Sequence, residues 1–247
     1  MMSLLLGFSF STIIATAAYT RRNLTESGAL AAIFIGSTVY FTLGWFGYLY
    51  LIMFFVSATL IGHLDKAHPP SQRTASQVFA NGLLATVFAT VHALTGQEVY
   101  RFLFFLSVAA SASDTWASEV GRLSKRLPRN LLTWRVMQTG LSGGVTVLGF
   151  VASIIASGLF ALMAWIVLTD VNLMLYIWLF ATLASVIDSA LGIIQVKYMR
   201  EGVITEERTD DSTRHSGLTW LNNNLVNILS NALAVGLFVV TVSANVF

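Results

Sequence analysis

Cysteine is absent from all 247 residues, which removes disulfides, thiolate metal ligands and thiol nucleophiles together and leaves oxygen or histidine to hold any metal. Charge is nearly as scarce. Only 11% of residues are Asp, Glu, Lys or Arg, against about 25% in an ordinary soluble domain. In contrast 55% are hydrophobic, and mean hydropathy is +0.72. Three prolines and 18 glycines exclude a Pro/Gly-rich low-complexity chain. The apolar runs are too long for the alternating strands of an outer-membrane barrel, so helices remain as the way to satisfy backbone polar groups in lipid. A pI near 9.0 rests on a formal charge of only +2, with no basic block that would read as a nucleic-acid patch. No Walker A sequence, kinase Gly-rich loop or H-E-x-x-H is present, and His63, His68, His92 and His215 lack ligand spacing.

What is there is a single all-α transmembrane unit over residues 1–247. Eight stretches approach the ~20 apolar residues needed to cross a bilayer. They are 2–20, 28–44, 47–63, 77–94, 101–120, 143–169, 172–196 and 222–245. The second and third share the turn Gly44-Trp45-Phe46-Gly47, so six spans plus a shallow helical hairpin is the alternative layout. The loops at 21–27, 64–76, 121–142 and 197–221 hold all but one of the 14 Lys and Arg, Arg101 being the exception. The positive-inside rule puts those loops in the cytoplasm and both termini outside. The opposite connections, such as 95–100 and 170–171, are too short to build a site.

Three acids, Asp114, Glu119 and Asp188, fall within these spans. A mid-helix carboxylate costs about 2.5–3.5 kcal/mol on insertion scales, so each is a functional candidate. All three lie near the C-terminal ends of helices with the same predicted direction, where the helix dipole is already negative. Salt bridges to Arg122, Lys125 or Arg135 are one way to compensate them, and a divalent cation such as Mg2+ is the other. The oppositely directed helices are expected to begin at Ser27-Gly28, Asn81-Gly82, Gly143-Gly144 and Asn222-Asn223-Asn224, with their free N–H groups facing the same side. Within GLSGGVTVLG, Ser142, Gly143, Gly144 and Thr146 form a backbone that a phosphate could approach. Asn222, Asn223 and Asn227 are amide ligands for phosphate, metal or nucleotide, whereas Asn231 suits interhelical hydrogen bonding. Arg73, Lys125 and Arg129 are candidate phosphate clamps, or else ordinary inside-loop cations.

Acidic helix ends beside positive helix starts can bind the two parts of a metal–phosphate complex, which points to Mg-dependent phosphoryl or nucleotidyl transfer. A transporter or flippase for a lipid phosphate or other anion is the rival reading. A substrate-free scaffold ranks last because it leaves the acids unexplained. ASASDT at 110–115 and ASVIDS at 184–189 share a short pattern, as internal repeats do in some transporters.

In order along the chain, SGALAAIFIG, FFVSATL, QVFANG, ASDTWASEVGRLSK, GLSGGVTVLGFVAS, SVIDSALGIIQ and WLNNNLVNILS resemble the integral membrane family known as domain of unknown function 92, over roughly residues 26–235. The family includes a plastid phytyl-phosphate kinase, so the resemblance implies a polyprenyl-phosphate kinase using a nucleoside triphosphate. Asp114, Thr115 and Glu119 fall in the first acidic motif and Asp188 and Ser189 in the second, with Asn81 in the ANG element. Relatives of this kind carry a cysteine pair in the loop before the amide motif, where this chain reads VKYMREGVITEERTDDSTRHSG. Those cysteines are therefore not essential chemistry. Chain length of the prenyl group, CTP versus ATP, and the oligomeric state are not legible from the residues.

Overall fold

A computed structural model describes residues 2–66 and 70–242. Helices α1 (Met2–Thr20), α2 (Glu26–Gly62), α3 (Ala75–Thr95) and α4 (Glu98–Arg122) precede a short antiparallel pair, β1 (Arg129–Asn130) and β2 (Gly144–Val145). Then come α5 (Val147–Leu168), α6 (Val171–Ile194), the strands β3 (Lys197–Arg200), β4 (Val203–Thr205) and β5 (Thr213–Ser216), and α7 (Asn223–Thr241). The three strands form one small sheet ordered β4-β3-β5. Oxygen-bearing side chains fix the helix starts: Thr25, Thr146, Asp170 and Asn222 each accept a backbone N–H from the first turn that follows. At α3 the Gln77 side chain takes the Thr74 N–H at 2.9 Å.

The bundle is all-α and polytopic, and among the described residues six of seven helices are long and apolar enough to cross a membrane. Helix α2 contains both expected segments of the second and third stretches. It reverses at Gly44, whose φ of 68° and ψ of −155° are open to glycine and strained for other residues. Across that reversal the rings of Tyr40 and Tyr48 meet edge to face, 5.5 Å apart. Both far ends return to Arg73, which accepts the Thr25 N–H at 3.1 Å and donates from Nη1 to Thr59 at 3.3 Å. Each leg, 26–43 and 45–62, is therefore about 27 Å long at 1.5 Å per residue, close to the ~30 Å hydrocarbon layer.

Helix α4 is the exception to the hydropathy rule and the centre of the bundle. It carries Glu98, Arg101, Asp114, Glu119 and Arg122, yet every residue from 102 to 113 is buried. Its neighbours α2, α3, α5, α6 and α7 shield it, so it needs no lipid-facing surface. Toward its start it packs with rings: Phe102 on Phe238 at 4.4 Å, and Phe105 edge-on to Tyr50 at 4.8 Å. The Tyr50 hydroxyl lies 3.2 Å from the Phe105 carbonyl and 3.0 Å from that of Phe160. Beyond Ser107 the residues turn small, which lets neighbouring backbones approach.

Three expected boundaries differ. Helix α5 starts at Val147, not at 143, because Gly143 takes a left-handed φ of 88° and Gly144 pairs with Asn130 in a strand. Helix α3 starts at Ala75, so Asn81-Gly82 lies nearly two turns inside it and presents no free N–H. Residues 121–142 and 197–221, expected as plain loops, contain the strands β1 and β3 to β5. His68 and the expected helix end at 243–245 lie outside the described residues.

The α4–α5 crossing depends on Gly149, where an added Cβ would lie 2.5 Å from the Ala117 carbonyl oxygen. Gly149→Ala is expected to lower stability by about 1–3 kcal/mol through overpacking. Gly236→Ala, which meets nothing within 4 Å, is expected to be neutral. Thermal unfolding of the two variants in the same detergent checks both.

Candidate functional site

Asp114, eight residues before the end of α4, and Asp188, six residues before the end of α6, lie close enough for their carboxyl groups to interact. Asp188 is 8% exposed, and its Oδ2 accepts from the Ser230 hydroxyl at 3.0 Å. Asn227, with its amide oriented as its neighbours demand, donates to the same oxygen at 3.3 Å and to the Asn223 carbonyl at 3.0 Å. No lysine or arginine among the described residues pairs with either aspartate; the ion pairs join Glu98 to Arg101, Glu119 to Arg122 and Arg200 to Asp211. Two carboxylates so placed repel unless a proton or a cation lies between them.

Beside Asp114 is a pocket of about 10 Å³, room for one water-sized guest or a single ion. Asn81, Ser111, Asp114, Asn227, Ser230 and Asn231 line it. The Asn231 amide nitrogen donates to the Ser107 carbonyl at 2.9 Å and to Ser111 Oγ at 3.1 Å. Because a carbonyl can only accept, the amide cannot be turned round, and its buried Oδ1 is left without a donor. Interhelical bonding thus accounts for one half of Asn231 and not the other. Asn81 joins the pocket through its carbonyl, which accepts from Ser111 at 2.9 Å, while its own amide bonds back to Gln77.

Glu119 does not join the aspartates. Five residues beyond Asp114, it sits on another face of α4, pairs with Arg122 and lies against Gly62 at the end of α2. Arg73 stands near it: burial lowers the guanidinium pKa, and the Glu119 charge works the other way. Arg73 is also the strut of the α2 hairpin, with its guanidinium 5.6 Å from the centre of the Phe55 ring. Among the described residues no three acids or histidines gather as a metal site. Lys125 and Arg129 are exposed, and Arg129 donates to the Trp134 carbonyl at 2.9 Å.

The glycine motif packs on the end of α6. A Cβ on Gly143 would lie 2.7–3.0 Å from Ile193, and one on Gly192 would lie 2.8 Å from the Gly143 nitrogen and from Ser142 Cβ. That contact holds Ser142 beside Asn223, the Ser142 Oγ being 3.4 Å from its Oδ1. Gly144 lies in β2, and Thr146 and Asn222 serve as the caps of α5 and α7. The structure therefore assembles Asp114, Asp188, Asn81 and Asn227 in one place and Ser142, Gly143 and Asn223 next to them.

Two groups here escaped the sequence reading. Lys197 is only 6% exposed and donates from Nζ to the Gly192 carbonyl at 2.7 Å, closing the end of α6. Burial lowers its pKa, and the charge of Glu206 opposes that shift. Glu206 itself accepts the Ser142 N–H at 2.6 Å and the Ser142 hydroxyl at 2.9 Å. A lysine placed directly after a span was the available signal for the first. For the second there was none, since TEERTDD reads as a solvated acidic loop.

A family model described as integral membrane protein DUF92 matches residues 9–235. An uncharacterised membrane protein of Methanocaldococcus jannaschii is 26% identical over 195 residues, 76% of this chain and 80% of that one. Protein PGR of Arabidopsis thaliana is 31% identical over 176 residues, covering 62% of this chain and 61% of that protein. Protein VTE6, chloroplastic, from the same plant, is 22% identical, with 85% and 62% covered. The chain thus spans less than two thirds of either plant protein. No solved structure matches it.

Ser230→Ala removes a hydrogen bond to a buried carboxyl and is expected to cost about 1.5–3 kcal/mol if Asp188 is ionised. Ser118→Ala, on an exposed turn, is expected to cost nothing measurable. Equilibrium unfolding in mixed micelles compares them.

Proposed function

The chain belongs to the integral membrane family DUF92, and from that membership and its site geometry we propose a membrane-embedded, magnesium-dependent phosphotransferase that moves a phosphoryl group from a nucleoside triphosphate to an isoprenoid phosphate. The observation that carries this reading is the Asp114–Asp188 pair, which no cationic side chain among the described residues neutralises and which Asn227 and Asn223 link to Ser142. Carboxylates, an amide oxygen without a donor and hydroxyls make an oxygen-only donor set, which fits a hard divalent cation. Magnesium there would screen the charge of the transferring phosphoryl group.

The remaining work falls to the chain's own groups. Asp114 and Asp188 would hold the cation. Ser230 and Asn227 fix Asp188, while Asn223 and the Ser142 backbone orient phosphate oxygens. No protein nucleophile is required, because the terminal oxygen of a lipid phosphate is already anionic at neutral pH and needs alignment and screening. The basic loops 21–27 and 64–76 meet through the Leu24–Arg73 bridge, and 121–142 meets 197–221 through Ser142 and Glu206. By the positive-inside rule we place this end in the cytoplasm, with the prenyl tail in lipid. The isoprenoid substrate class rests on the family resemblance.

Passage through the bundle has less support than chemistry at one end. Between Ser107 and the start of α4 the interior is filled by Phe102, Phe105, Phe160, Phe180 and Phe238, with ring centres as close as 4.4 Å. A transporter for a phosphate anion needs polar groups continuing through that half.

Purified protein supplied with phytyl, farnesyl or longer prenyl monophosphates, Mg2+ and each nucleoside triphosphate is expected to form the diphosphate with at least one pairing. Asp114→Asn and Asp188→Asn are each expected to lower turnover by about a hundredfold or more, and Glu119→Gln by far less. Absence of product from every pairing, or full turnover in both aspartate variants, removes this reading.

A further inference from the structure

The anion-binding backbone of the glycine motif is filled by an acid of the chain itself. Glu206 places both carboxylate oxygens on Ser142, one on its N–H at 2.6 Å and one on its hydroxyl at 2.9 Å. Two oxygens held in this way present to the protein what two oxygens of a phosphate present. Lys197 adds positive charge to the same place, because its Nζ is bound to Gly192, against which Ser142 and Gly143 pack. Its charge and that of Glu206 interact.

A merely structural clip would not require a carboxylate. A glutamine carbonyl could accept the Ser142 N–H equally well, without bringing a further negative charge into range of Asp188. The position of Glu206 also leaves it free to leave. It follows β4 in a sheet whose β5 strand is exposed along its whole length. The excursion is tied at its base by the Leu218 N–H to the Ile194 carbonyl at 2.9 Å and the Val196 N–H to the Leu221 carbonyl at 2.8 Å. The 206–212 connection between β4 and β5 can therefore shift outward while the strands, α6 and α7 keep their contacts.

We propose that Glu206 is an internal stand-in for phosphate, occupying a subsite made by the Ser142 N–H, the Ser142 hydroxyl and Lys197, and that a phosphate oxyanion of the substrate displaces it on binding. This rests on the phosphotransferase reading for the identity of the ligand, but direct binding tests it without turnover. Inorganic pyrophosphate is titrated calorimetrically into the full chain in detergent, as the parent, Glu206→Gln, Glu206→Ala, and Glu206→Gln combined with Ser142→Ala.

Both Glu206 variants are expected to bind pyrophosphate about tenfold tighter than the parent, and the added Ser142→Ala is expected to cancel the gain. Affinity unchanged or weaker in Glu206→Gln, which keeps the size and the N–H acceptor, overturns the proposal. On the unaltered protein, saturating pyrophosphate is expected to speed cleavage of the 206–212 connection by a glutamyl endopeptidase. A cleavage rate that does not move overturns it independently. Failure of the kinase assay with tighter pyrophosphate binding in the variants would remove the proposed reaction and leave the displaced carboxylate standing.

Discussion

Like charge brought to like charge is the constraint around which this bundle is arranged. Helices α4 and α6 each bring one aspartate to the same spot, Asp114 eight residues and Asp188 six residues before the end of its helix. Nothing cationic from the described residues pairs with them. What offsets the repulsion locally is neutral: the Ser230 hydroxyl and the Asn227 amide both donate to Asp188. Neutral donors soften such a pair without discharging it, so the site retains a demand for positive charge.

The division of α4 explains how one helix serves two purposes. Its first half is aromatic and seals the bundle, and its second half is small enough for Asn231, Ser153 and Asn81 to reach its backbone or hydroxyls. A helix that is apolar all round would have bound lipid on some face. This one has traded that option for enclosure, which is why its sequence carries five charged residues and still sits at the centre.

The helices were legible because lipid leaves the backbone few choices: the apolar runs, the turn at Gly44 and the start at Asn222 all announce themselves, whereas the Thr146 cap was hidden behind the glycines that precede it. Asp114 and Asp188 could be singled out on cost alone, since hydropathy penalises each one separately. Which acids share a site is another matter. Asp114 and Glu119 are near in sequence, but five residues along a helix turn the second toward Arg122 and α2. Asn81 read as a helix start because amide and glycine together resemble a cap, whereas the capping box at Thr74 had already set the boundary. Glu206 and Lys197 were hidden for a different reason. A loop's composition says that it is polar and not that it folds back onto the bundle, and that return depends on backbone pairing at Gln195 and Leu218.

That pairing separates two lengths of chain with different freedoms. Because the ladder between 194–196 and 218–221 closes the excursion at its neck, the spacing of α6 and α7 does not depend on how many residues lie beyond it. Lengthening a closed loop costs little, only about 0.6 kcal/mol per doubling. Apart from Lys197 and Glu206, which reach Gly192 and Ser142, changes of length and sequence there are thus mechanically isolated from the membrane core, and the rim of the site can diversify while its floor stays fixed.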